Sequence, residues 1–132
     1  MMTDDRFVVA FRHFEKALVR FKEALEQPEN DFIRDSIVQR FEFTFEAAWK
    51  AMYRWLRARG NDVDEEAYEV IPAAFKRRLI AAEKDWGEMR KCRNKTSHTY
   101  DESTAIEVAA FARHVAVRLF DDLHRALTER ST

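Results

Sequence analysis

An arginine, a histidine five positions later and a tyrosine two beyond that stand in the stretch Arg93-Asn94-Lys95-Thr96-Ser97-His98-Thr99-Tyr100. Arginine stays charged at every physiological pH and can hold a phosphate through two parallel N–H bonds. Histidine exchanges a proton near neutrality. Together they are a minimal kit for binding or cleaving a phosphodiester without a metal ion. His98 would act as base or acid on a 2′-hydroxyl or a leaving oxygen, and Arg93 would meet the negative charge building on the phosphate. Asn94 can add a neutral hydrogen bond, and Tyr100 can position substrate or be modified itself. The bland reading of a single histidine is a surface or capping residue, so the surroundings of the motif decide its weight.

On an unbroken helix, Arg93 and His98 would lie about 140° apart around the axis. Thr96-Ser97-His98-Thr99 is a poor helix interior, because its hydroxyls compete for backbone groups. The helix is expected to loosen there and let His98 turn toward Arg93; a symmetric dimer that brings two such pairs together is the other route. Between Lys76 and Lys95 eight cations stand against three acids, a net charge of +5 in a chain whose total is −1. A cationic stretch that ends in the Arg/His motif is what a phosphate-binding face requires, with Lys91 and Lys95 as its candidates beside Arg93. A solvated helix surface is the competing reading. No His/Asp/Glu cluster has metal-ligand spacing, so neither metal nor other cofactor is expected.

The elements that must position these residues are helical. Two glycines and two prolines in 132 residues cannot supply the turns of an all-β fold, and 46% hydrophobic with 36% charged residues describes a folded chain. The length suits one domain, 1–132. A first helix is expected from about Asp4 to Glu26, with Phe7, Phe11, Phe14, Leu18, Phe21 and Leu25 on one stripe, ended by Gln27-Pro28. A long second helix runs from about Phe32 to Arg59, capped by Asn30 or Asp31 and ended at Gly60-Asn61. Ile33, Ile37, Phe41, Phe45, Ala48, Met52 and Leu56 form its stripe. Phe32, Phe43, Trp49 and Tyr53 lie outside it, which makes this helix central or part of an oligomer interface. Glu46 and Lys50 are spaced for an ion pair.

A third helix is expected to start near Pro72, and Trp86, Met89 and Cys92 suggest another short helix, or the continuation of the third, before the motif. The last helix, capped by Asp101 or Ser103, runs to about Glu129, with Ile106, Ala110, Val117, Phe120 and Leu127 on one face and Val108, Phe111, Val115 and Leu119 on a second. Arg113 falls on the apolar side and needs a buried acceptor or an interface. His13, His114 and His124 are read as structural, and the three tryptophans as packing residues. An all-α, antiparallel up-and-down four-helix bundle with a short extra helix follows. One cysteine excludes an internal disulfide and fits a reducing, cytoplasmic setting. No apolar run suits a signal peptide or a membrane span.

The blocks Asp31-Phe32-Ile33-Arg34-Asp35-Ser36-Ile37-Val38-Gln39-Arg40-Phe41-Glu42-Phe43-Thr44-Phe45-Glu46-Ala47-Ala48-Trp49-Lys50 and Arg93 to Tyr100 resemble the nucleotidyltransferase substrate-binding proteins of the HEPN superfamily. The likeness covers roughly Phe7 to Leu127. It implies a four-helix bundle, usually homodimeric, encoded beside a minimal nucleotidyltransferase. In many such proteins the Arg-x4-His pair is a metal-independent ribonuclease centre formed across the dimer, and the two genes form a toxin–antitoxin module. By that resemblance Arg93 and His98 are catalytic, Asn94 is the accessory polar residue, and Tyr100 is the site at which the partner attaches AMP to silence the toxin. RNA is then the substrate. The rival expectation is a non-catalytic subunit that presents substrate to the transferase. The transferase itself needs a Gly-Ser turn, and the two glycines here precede Asn61 and Glu88.

Overall fold

In a computed structural model that describes residues 5–130, the chain is all-helical, with no strand among the described residues. Helix α1 spans Asp5–Leu25, α2 Asp31–Ala58, α3 Ala67–Lys76 and α4 Glu83–Asn94; a 3-10 turn, Lys95–His98, follows. The last long helix comes in three continuous pieces: α5 Glu102–Phe111, a π turn Ala112–Ala116, and α6 Val117–Arg130.

Each long helix starts and stops for a chemical reason. The Asn30 side chain accepts from the backbone N–H of Ile33, capping α2. At the other end Gly60 takes a left-handed φ of 81°, Gly60 N–H donates to Arg57 and Asn61 N–H to Leu56, which is the Schellman arrangement. Helix α3 ends in the same arrangement, with Arg78 at φ 60° in the glycine's place and Leu79 N–H donating to Ala74. Asp101 caps α5 by accepting from the N–H of Ser103.

The helix pairings fix directions. Arg40 and Thr44 of α2 donate to the carbonyls of Arg20 and Ala17, so α2 runs antiparallel to α1. Asp121 pairs with Lys22, and His124 with Glu15, so α6 also runs against α1. Arg34 meets Glu102 and Arg59 donates to the carbonyl of Arg130, so α2 and the last helix run the same way. Helices α3 and α4 return the chain between them. In the centre Phe120 meets the rings of Phe14, Phe21, Phe41 and Trp86 at 5.8–6.3 Å. All five rings are fully buried, and burial of each such side chain stabilises by about 1.5–3 kcal/mol.

Three expectations need correction. Helix α3 begins at Ala67, not near Pro72; Pro72 sits inside it, where the helix forgoes one ladder bond while burying Val70, Ile71 and Ala74. Ile106, 46% exposed, and Ala110 lie outside the core, whose face is instead Ala105, Val108, Ala109 and Ala112. The π turn explains the slip: it adds a residue to one turn, so a regular stripe traced back from Phe120 lands one position late. Glu46 does not pair with Lys50, whose ammonium lies over the Trp49 ring. His124, read as structural, has a partner: Nε2 lies 2.8 Å from Glu15 Oε2, and its ring stacks on Phe11. Arg113 finds its acceptors, the Leu25 carbonyl at the end of α1 and Glu29.

Candidate functional site

The motif begins in the last turn of α4 and passes directly into the 3-10 turn. Thr96 Oγ1 donates to the Arg93 carbonyl at 2.8 Å, Ser97 Oγ to the Asn94 carbonyl at 3.3 Å and Thr99 Oγ1 to the Thr96 carbonyl at 3.1 Å. These three-residue steps are the hydroxyl competition expected of the sequence, and they tighten the chain out of α-helix.

Arg93 is 26% exposed at its side chain and held on three sides. Nε–H donates to Glu46 Oε1 at 3.0 Å, Nη2 lies 3.4 Å from Glu42 Oε1, and Nη1 donates to Thr96 Oγ1 at 3.4 Å. Both glutamates belong to α2, one turn apart; the sequence reading assigned no role to Glu42 and set Glu46 against Lys50 instead. The available signal was that Glu42, Glu46 and Trp49 share one side of α2 at helical spacing.

His98 is exposed, and its ring meets that of Tyr100 edge-on at 6.1 Å. Tyr100 is 87% exposed. The protomer therefore brings His98 and Tyr100 together but leaves Arg93 bonded to α2 rather than to His98. Asn94 is exposed at the C-terminus of α4. Lys95 forms an ion pair with Glu107 of α5, which raises its pKa by a hydrogen bond to that carboxylate and by its charge. Lys91 lies 3.6 Å from Glu88. The cationic stretch is thus not a bare basic face, since acids stand beside three of its cations. Lys76, Lys84 and Arg90 have no ion pair among the described residues.

Cys92 points inward, and burial pushes its thiol up to about 11. Among the described residues no group of three His, Cys, Asp or Glu could hold a metal ion. On the far side of Glu46, α1 and α2 enclose a cleft of about 600 Å³ lined by Val9, His13, Phe43, Glu46, Lys50 and Tyr53, with others. No helix is long and apolar enough to cross a membrane, among the described residues.

An all-helical domain that displays an arginine, an exposed histidine and an exposed tyrosine at one helix-to-turn junction defines the class. The sequence matches the family model described as nucleotidyltransferase substrate binding protein like over residues 9–129, and the chain belongs to that family. A curated Haemophilus influenzae protein named Probable ribonuclease HepT is 36% identical over 77 residues, 55% of this chain and 53% of that one. The match thus spans about half the length of that relative. A Thermus thermophilus protein of known crystal structure superposes with a TM-score of 0.73 at 31% identity, covering 89% of this chain and 98% of the other. A second structure, from Haemophilus influenzae and described as revealing the fold of a substrate binding domain of a nucleotidyltransferase, gives 0.68 at 27% identity, with 92% and 96% covered. The family that the two sequence blocks resemble is the family found.

Proposed function

We propose that this chain is a HEPN-type, metal-independent endoribonuclease and the toxin of a two-gene module, working as a homodimer in the cytoplasm. The observation that carries the reading is the junction after α4: Arg93 is held in place there, and His98 and Tyr100 stand exposed one turn later. The relative named as a probable ribonuclease supports it.

Neutral His98 takes the proton of a ribose 2′-hydroxyl, whose oxygen attacks phosphorus. The P–O5′ bond breaks, the 5′-oxygen leaves with a proton from a general acid, and a 2′,3′-cyclic phosphate remains. Arg93 meets the charge that builds on the non-bridging oxygens, and Asn94 adds a neutral donor. Lys91 and Lys95 contact flanking phosphates, exchanging their carboxylate partners for them. A partner minimal nucleotidyltransferase silences the site by transferring AMP from ATP to the Tyr100 hydroxyl, which loses its proton as pyrophosphate leaves; the exposure of Tyr100 leaves that hydroxyl open to the enzyme.

The test is RNA incubated in excess chelator with the parent protein, unmodified at Tyr100 by mass, beside His98→Ala and Arg93→Ala. Cleavage by the parent and by neither variant is expected. No cleavage by any of the three would sink the reading. A second reading, a catalytically inert subunit that presents substrate to the transferase, draws on the description of the Haemophilus influenzae structure and on the acids that already pair the motif's cations. It predicts tight transferase binding with no cleavage under any condition.

A further inference from the structure

Glu46 is engaged at both oxygens. Oε1 accepts from Nε–H of Arg93 at 3.0 Å, and Oε2 accepts from the indole Nε1–H of Trp49, also at 3.0 Å. Trp49 is buried and lies three residues along the same helix, so the carboxylate is anchored to the core by one oxygen and offers the other to α4. Glu42, one turn earlier, faces Nη2 of the same guanidinium. A guanidinium carries five N–H bonds in a fixed planar fork. Nε and Nη2 face the two carboxylates and Nη1 donates to Thr96 Oγ1, so two of the five N–H bonds, one on each Nη, are left for an arriving oxyanion.

Attraction of RNA does not account for this arrangement. One guanidinium beside two carboxylates carries a local charge of −1, which opposes a phosphate. An arginine needed only for its charge would be better served by neutral neighbours. What two carboxylates on a rigid helix do supply is orientation, and misplacing a reacting group by an ångström can cost about 100-fold in rate.

We propose that Glu46 is a positioning residue for Arg93: the chain Trp49–Glu46–Arg93 sets which edge of the guanidinium meets the scissile phosphate, and does so at some expense in RNA affinity. The inference rests on the ribonuclease reading above. It predicts that turnover and affinity move apart when the carboxylate is altered. In Glu46→Gln one acceptor oxygen remains for two donors, Arg93 and Trp49, while a negative charge is lost. Turnover then falls about 10- to 100-fold, with KM unchanged or lower. Trp49→Phe keeps the packing, frees one oxygen of Glu46 and shifts turnover the same way by a smaller factor.

The experiment compares the parent, Glu46→Gln, Trp49→Phe and His98→Ala. It measures kcat and KM on one RNA, affinity for an all-deoxy oligonucleotide of the same base sequence, and the melting temperature. Lower kcat with undiminished oligonucleotide affinity and an unchanged melting temperature is expected for Glu46→Gln. A kcat equal to or above the parent's would overturn the positioning role and make the carboxylates competitors of the phosphate. A loss of kcat, affinity and melting temperature together would also overturn it, in favour of a purely structural contact. An inactive parent defeats the ribonuclease reading and this inference with it. An active parent, an inactive His98→Ala and an unaltered Glu46→Gln defeat this inference alone.

Discussion

Arg93 meets two carboxylates before it meets any substrate, and this separates what an arginine does in that place from what a mere cation such as lysine would do. Lysine keeps the charge but is a single ammonium without the planar fork. It can neutralise Glu42 or Glu46, and it has no second edge to present once it does so. Arg93→Lys is therefore expected to keep RNA binding within a few-fold and to lose cleavage by about 10-fold or more, read as turnover beside filter binding. The neighbouring Cys92 shows the opposite environment. Its thiol is buried, and burial disfavours the thiolate, lifting it from 9.0 to about 11. The folded protein binds the proton more tightly than the unfolded chain across that interval, so stability falls as pH rises from about 9 to 11. At pH 8 iodoacetamide should alkylate Cys92 slowly in the native protein and quickly in denaturant, and equal rates would contradict its burial.

At the scale of elements, the ends of helices were legible and their irregularities were not. Asn30, Gly60 and Asp101 act where their chemistry says they should, because capping depends on a few adjacent residues. The loosening after Arg93 was equally local, written in the hydroxyls of Thr96, Ser97 and Thr99. The π turn was not legible. It holds Arg113, which reaches across to the end of α1, and its extra residue breaks the regular period that misassigned Ile106 and Ala110. Glu46 was misread for the same reason. Its nearest opposite charge in sequence is Lys50, whereas its partner in space is 47 positions away. The left-handed residue that ends α3 leads to a stability prediction with an unusual sign. Arg78 occupies a conformation that suits glycine, and its side chain is exposed. Arg78→Gly should stabilise the protein by about 0.5–1 kcal/mol, seen as a higher urea midpoint with unchanged slope. A lower midpoint would mean that the arginine side chain compensates for its backbone.

At the scale of the molecule, the chain closes one core but keeps Arg93 and His98 on separate partners. Phe120 and the rings around it close one core, yet His98 is turned to Tyr100 and Arg93 to α2. Phe32, 85% exposed, and Phe43, 56% exposed, leave aromatic surface on α2 that the protomer does not cover. If two protomers complete each other, a centre takes Arg93 from one and His98 from the other, and a two-fold axis makes two such centres. Mixing then separates this arrangement from one in which each protomer works alone. Arg93→Ala and His98→Ala are each expected to be inactive alone. A hybrid dimer of the two variants joins the intact Arg93 of one subunit to the intact His98 of the other at a single centre, while its second centre lacks both groups. Random exchange makes half the dimers hybrid, so about a quarter of the parental activity should return. Activity should rise with the time allowed for subunit exchange and vanish when exchange is prevented. If both groups act within one protomer, no hybrid holds an intact centre and the mixture stays as inactive as its parts, whatever the state of association found by sedimentation.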